Sequence, residues 1–154
     1  MAEVAAAEVR RGDASSAMAE TVLVAIGGRS TSSGRLIREG ARLARRSDAD
    51  LIVLVVEPQD GRIDDGTRQV LAQADTLTRS LGGTFLRRAG DDAAAEIVRE
   101  VEAQNITQVV LGAGRRSSGW RVLARPSTAD RVLRGTRGVN VLVVADPAPQ
   151  EPDE

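Results

Sequence analysis

At 154 residues the chain is sized for one domain, and its 42% hydrophobic content is ample for a single core. Its 21 basic residues are all arginine and are offset by 22 acidic ones, so the net charge of -1 implies no bulk attraction to nucleic acid or an anionic membrane. The sequence has no His, Cys, Tyr or Lys, which removes His/Cys metal sites, thiol nucleophiles, Ser-His triads, Schiff bases and the P-loop lysine together. Arginine stays protonated and is no general base, so acid–base work would rest on carboxylates alone. Composition favours binding over catalysis, and neither a catalytic residue nor a metal ligand is assigned. Phe85 and Trp120 are the only aromatic residues, so the core must be Val, Leu, Ile and Ala, the usual filling of a covered parallel sheet. No stretch has the apolar length of a membrane span and the N-terminus lacks a signal-peptide core, so a cytoplasmic protein without membrane insertion is expected.

Residues 1–19, rich in Ala, Glu, Ser and Asp, read as a flexible arm, and the acidic, proline-bearing residues 147–154 as a flexible tail. The domain is expected over 20–146. Thr21–Ile26 (TVLVAI) is a strand that ends in Gly27-Gly28-Arg29-Ser30-Thr31-Ser32. Gly34–Ser47 is an amphipathic helix with Leu36, Ile37, Gly40, Ala41, Leu43 and Ala44 on one face and arginines on the other, capped by Ser32 or Ser33. Leu51–Val56 (LIVLVV) is an unbroken apolar strand needing cover on both faces. A helix over about Thr67–Leu81 ends at Gly82-Gly83, and the short, more polar strand Thr84–Arg88 belongs at a sheet edge. Asp91 or Asp92 caps a helix to Gln104 with Ile97, Val98 and Val101 inward. The strand Gln108–Leu111 follows, and a helix with Ser127 at its N-cap and Asp130 in the capping-box position comes next. Val139–Ala145 is the last strand. Five strands alternating with four helices make an α/β parallel sheet.

Between Leu111 and the last helix run Gly112-Ala113-Gly114, Arg115, Arg116 and Ser117, then Trp120. Glycines let backbone N–H groups approach a ligand, a helix N-terminus adds partial positive charge, and guanidinium groups add paired donors. That is a recipe for holding phosphates. The competing reading is a strand-to-helix connection solvated by arginines, and the spacing matches no Walker motif. Both glycine loops leave strand carboxyl ends, where sheets of this type bind ligands if the two strands are neighbours.

The stretches VLVAI…SSGRLIREGARLARRSDADLIVLVVEP, ITQVVLGAGRRSSGWRVLARPSTADRVLR and VNVLVV, spanning about Thr21 to Ala145, resemble the universal stress protein family. The pattern LGxxRRSxxWRxL…S…DRxLR is similar to the branch carried by KdpD potassium-sensor histidine kinases. The resemblance implies a five-stranded parallel sheet in the order 3-2-1-4-5 with helices on both faces, of the adenine-nucleotide alpha hydrolase-like type. It also implies a regulatory, non-enzymatic domain in stress or potassium signalling that binds ATP or AMP, or cyclic di-AMP as in some kinase-type domains. On this chain the implied nucleotide-binding residues are Gly27, Gly28, Arg29, Ser30 and Ser32, with Gly112, Gly114, Arg115, Arg116, Ser117, Trp120, Ser127 and Thr128.

The match departs from the family in places. Gly112 fills the first glycine slot of the ATP-binding loop, Arg115 stands in the second, and Pro126-Ser127 replaces a Gly-Ser pair one residue late. Gly27 stands where ATP binders carry an acidic residue. Ser30-Thr31-Ser32 echoes the Ser-x-Ser element of cyclic di-AMP binders, but Arg35 stands where those have asparagine. Trp120 either stacks a base or covers the apolar underside of its loop. The loops offer no carboxylate before Asp130, which speaks against ATP hydrolysis and leaves a Mg²⁺ requirement open. An open apolar edge strand invites pairing, so a homodimer through Val139–Ala145 is expected, with a sensor kinase or transporter as a further partner. The alternative is an interaction module without nucleotide that acts through dimerisation.

Overall fold

The computed structural model describes residues 20–27, 33–112 and 128–145. The elements are β1 (Thr21–Ile26), α1 (Ser33–Ser47), β2 (Asp50–Glu57), α2 (Asp65–Ser80), β3 (Thr84–Ala89), α3 (Ala93–Gln104), β4 (Gln108–Gly112), α4 (Thr128–Gly135) and β5 (Asn140–Val144). All five strands are parallel and lie in the order β3-β2-β1-β4-β5, the arrangement implied by the family resemblance. The arm at 1–19 and the tail at 147–154 lie outside the described residues.

Alternation along the strands sorts the core into two layers. Val22, Val24, Ile26, Val53 and Val55 meet Leu36, Ile37, Ala41 and Ala44 of α1 and Leu71 and Ala74 of α2. Leu23, Leu54, Val109 and Leu111 meet Ile97 and Val101 of α3 and Val132 of α4 on the opposite face. Val22, Leu23 and Val24 of the central strand are fully buried, as a strand covered from both sides requires. In β2, Leu51, Val53, Leu54 and Val55 are buried, so the unbroken apolar run does find cover on both faces.

Helix boundaries follow their caps. α2 starts two residues before the expected Thr67, because the Asp64 side chain accepts the Thr67 N–H at 2.7 Å. Asp92, not Asp91, caps α3 by accepting the Ala95 N–H at 3.3 Å. α3 ends on Asn105 in the left-handed region, φ 56°. The β3 edge is guarded by charge: Arg87 is bound two-pronged to Glu57 of β2 at 2.5 and 2.9 Å. This guanidinium bond holds the Glu57 carboxyl below the usual carboxylate range, against the opposing effect of burial. β5 is shorter at both ends than the expected Val139–Ala145 and leaves Leu142 and Val143 nearly half exposed.

Candidate functional site

The connections explain where a ligand crevice forms. β1 leads through α1 to β2 on one side of it, whereas β3 leads through α3 to β4 on its other side. The strand order therefore reverses between β1 and β4, and the gap beyond their carboxyl ends is the position at which such sheets receive ligands. Ala25 pairs with Leu111, so the chain leaves β1 at Gly27 and β4 at Gly112 within about two residues of the same level. Two side-chain-free exits at one gap let ligand atoms approach backbone.

Three further contacts shape this end of the sheet. Ser33, buried at the start of α1, donates its Oγ hydrogen bond to the Gly27 carbonyl at 3.4 Å, closing the base of the first loop. Arg35, two residues on, reaches across to donate from Nη1 to the Ala145 carbonyl just past β5, at 2.9 Å. Arg131 in the first turns of α4 holds both oxygens of Asp92 at 2.8 and 2.7 Å. Asp92 thus caps α3 and anchors α4 together. Arg131, helped by the Ala95 N–H, keeps the Asp92 carboxyl below the usual range.

Of the residues assigned from sequence, the structure brings Gly27 and Gly112 together at the crevice and puts Thr128, exposed, at the start of α4. Gly28, Arg29, Ser30, Ser32, Gly114, Arg115, Arg116, Ser117, Trp120 and Ser127 lie outside the described residues. Sequence reasoning missed Asp92 and Arg131 as parts of this end of the molecule, and it placed Arg35 there only as a departure from the cyclic di-AMP binders, without its bond past β5. Asp92 was legible as a cap, but nothing local announces a bond between residues 39 or 110 positions apart. Among the described residues there is no cluster of three acidic, His or Cys side chains able to hold a metal ion, and no helix long and apolar enough to cross a membrane.

Two surface hollows made by described residues lie away from this crevice. One, of about 430 Å³, lies among Glu39, Arg42, Arg45 and Arg46 on the outer face of α1. The other, of about 510 Å³, lies at the opposite, amino-terminal end of β4 and β5, beside Asn105, Thr107 and Arg137. Neither offers the paired glycine exits of the crevice.

A doubly wound parallel sheet with glycine exits at its switch point defines an α/β domain with an open crevice at its strand carboxyl ends. The sequence profile of the universal stress protein family matches residues 18–145, and the chain belongs to that family. Among curated proteins, the sensor protein KdpD of Mycobacterium tuberculosis is 33% identical over 129 residues, 84% of this chain but 15% of that protein. The chain spans no more than 30% of the curated relatives it matches. A universal stress protein solved in complex with cAMP superimposes with a TM-score of 0.65 at 22% identity, covering 82% of this chain and 97% of that one. The universal stress protein of Archaeoglobus fulgidus in complex with dAMP gives a TM-score of 0.57 at 21% identity, over 80% and 96% of the two chains. These two likenesses establish the shared fold.

Proposed function

We infer that this domain binds an adenine nucleotide in the β1–β4 crevice and acts as a regulatory module, without hydrolysing the nucleotide. The observation that carries the reading is the meeting of Gly27 and Gly112 at the switch point, beside an α4 start anchored by Arg131 to Asp92. Complexes of two structural neighbours with cAMP and dAMP support an adenine nucleotide as the ligand. Similarity to KdpD supports a setting in potassium signalling, with a sensor kinase as the partner.

On this reading Gly28, Arg29, Ser30 and Ser32, which follow Gly27 in sequence, are assigned to the ligand by the family resemblance. Gly114, Arg115, Arg116, Ser117, Trp120 and Ser127, which lie between Gly112 and Thr128 in sequence, are assigned to it in the same way. With no lysine or histidine in the chain, arginine supplies all side-chain positive charge. A charge-assisted hydrogen bond contributes about 1.5–3 kcal/mol, so Arg115→Ala weakens nucleotide binding about ten- to a hundredfold. Arg45→Ala, on the outer face of α1, leaves it unchanged. Calorimetric titration of ATP, AMP and cyclic di-AMP into the three proteins is the test, together with mass spectrometry of whatever nucleotide copurifies. Equal affinities throughout, or no binding to any, would end the reading.

A second reading is favoured by one specific observation, the exposure of Leu142 and Val143 on the edge strand β5. It holds that the domain binds no nucleotide, pairs through β5 with a second copy and works as an interaction module through that dimer.

A further inference from the structure

We propose that the acidic segment 146–154 docks on the arginine face of α1, so that the chain covers this surface with its own residues. The helix holds five arginines against the single acid Glu39, a net charge of +4. Arg35, Arg38, Arg42 and Arg45 recur every three or four residues and form one exposed row along it, with Arg46 beside the row. Arg42 bonds Glu39 at 2.6 Å, but among the described residues no carboxylate pairs with Arg38, Arg45 or Arg46. By contrast, both arginines of α2 and the one of α3 are bonded to a carboxylate on their own helix. The hollow of about 430 Å³ among Glu39, Arg42, Arg45 and Arg46 opens on the same face.

Charge, position and reach select the occupant. Asp146, Glu151, Asp153 and Glu154, with no basic residue among them, give the segment a net charge of -4. Arg35, in the first turn of α1, donates from Nη1 to the Ala145 carbonyl at 2.9 Å, so the segment departs from one end of the arginine row. From Arg35 to Arg46 the helix rises about 16 Å, whereas nine residues in an extended polyproline course span about 28 Å. Pro147, Pro149 and Pro152 favour that course and withhold N–H groups from strand pairing, which leaves side-chain charge to make the attachment. A broad anionic surface such as a membrane or nucleic acid matches less well, because the other described residues carry nine arginines against fourteen carboxylates and repel it. Exposed ion pairs are individually weak, but a tether supplies an effective concentration on the order of millimolar.

The chain has no cysteine, so Gln150→Cys gives one attachment point for a nitroxide spin label without changing any charge. Nuclear magnetic resonance of the full labelled chain at low salt should show the amide signals of Arg38, Arg42, Arg45 and Arg46 losing at least about half their intensity. They should recover in about 1 M salt, where charges are screened beyond about 3 Å, and in a chain with Arg38→Gln, Arg42→Gln, Arg45→Gln and Arg46→Gln, its fold verified by circular dichroism. Broadening centred on Arg115–Arg121 or on β5, broadening indifferent to salt, or broadening seen only between labelled and unlabelled copies would overturn the proposal. Calorimetric titration with a poly-glutamate peptide tests the same surface from outside. The chain with Glu151→Gln, Asp153→Asn and Glu154→Gln should bind the peptide at least about fivefold tighter than the wild type, because its own segment no longer competes. Equal affinities would mean a face open to an acidic partner, and no binding to either chain would mean a merely solvated one; both overturn the proposal.

Discussion

Gly40 sits in the middle of α1, where helix propensity alone predicts that alanine is the better residue by about 1 kcal/mol. The structure reverses the sign. A Cβ at position 40 would stand 2.1 Å from Val24 Cγ2, whereas carbon atoms pack at about 3.5–4 Å. At least about 1.4 Å must be recovered by moving the helix or the strand. Val24 is fully buried in the central strand, between β2 and β4, and has nowhere to yield. Overpacking of this kind costs about 1–3 kcal/mol, with this clash at the upper end, so Gly40→Ala is expected to destabilise by about 1–2 kcal/mol net of propensity. Val24→Ala removes the obstructing methyl groups and by itself costs about 2 kcal/mol, from about 0.8 per group plus a cavity term. In the double variant the new methyl lies 3.6 Å from the Cβ of residue 24, an ordinary contact, and fills part of the cavity. The two changes together should then cost at least about 1 kcal/mol less than the sum of the single ones. Urea unfolding followed by far-ultraviolet circular dichroism measures all four proteins. A Gly40→Ala variant as stable as the wild type, or strict additivity in the cycle, would refute the close-approach argument.

Further predictions concern charge and the sheet edges. Glu57 is held below the ordinary carboxylate range by Arg87, so its contribution to stability is complete above about pH 4.3 and is lost as the pH falls through its lowered value. Melting temperatures measured from pH 6 to 3 should fall below that point, and less steeply in Glu57→Gln; identical profiles would count against the bond. Arg88 binds Glu100 at 2.7 Å, with side-chain exposures of 40% and 9%, and Glu100 Oε2 is buried without a hydrogen-bond partner among the described residues. Arg88→Ala strands a buried charge and should cost about 3 kcal/mol, whereas Glu100→Leu leaves an arginine that reaches water and should cost under about 1 kcal/mol. Equal costs in urea unfolding would contradict this asymmetry. Leu142→Arg with Val143→Asp should convert a β5-paired dimer to monomer by sedimentation at tens of micromolar. A wild type that sediments as a monomer would remove the second functional reading.

Local pattern was enough to locate every strand and helix of the described sheet to within about three residues. TVLVAI and LIVLVV are too short and too β-branched for helices, and SGRLIREGARLARRS repeats its apolar residues at helical spacing. The polar run at Thr84–Ala89 announced an edge, because a central strand cannot bury Arg87 and Arg88. The start of α2 was misjudged by two residues because Asp64 was not recognised as its cap. Strand order came from family likeness, since periodicity says which face of a strand is buried and nothing about its neighbours. Only the tertiary structure decided that Gly27 and Gly112 leave adjacent strands, that Arg131 holds Asp92, and that Arg35 meets a carbonyl 110 residues away. The apolar pattern of a sequence records burial, which is local in the chain. The register of a parallel sheet and the reach of a long side chain depend on how separate βαβ crossovers stack, and no single stretch carries that information.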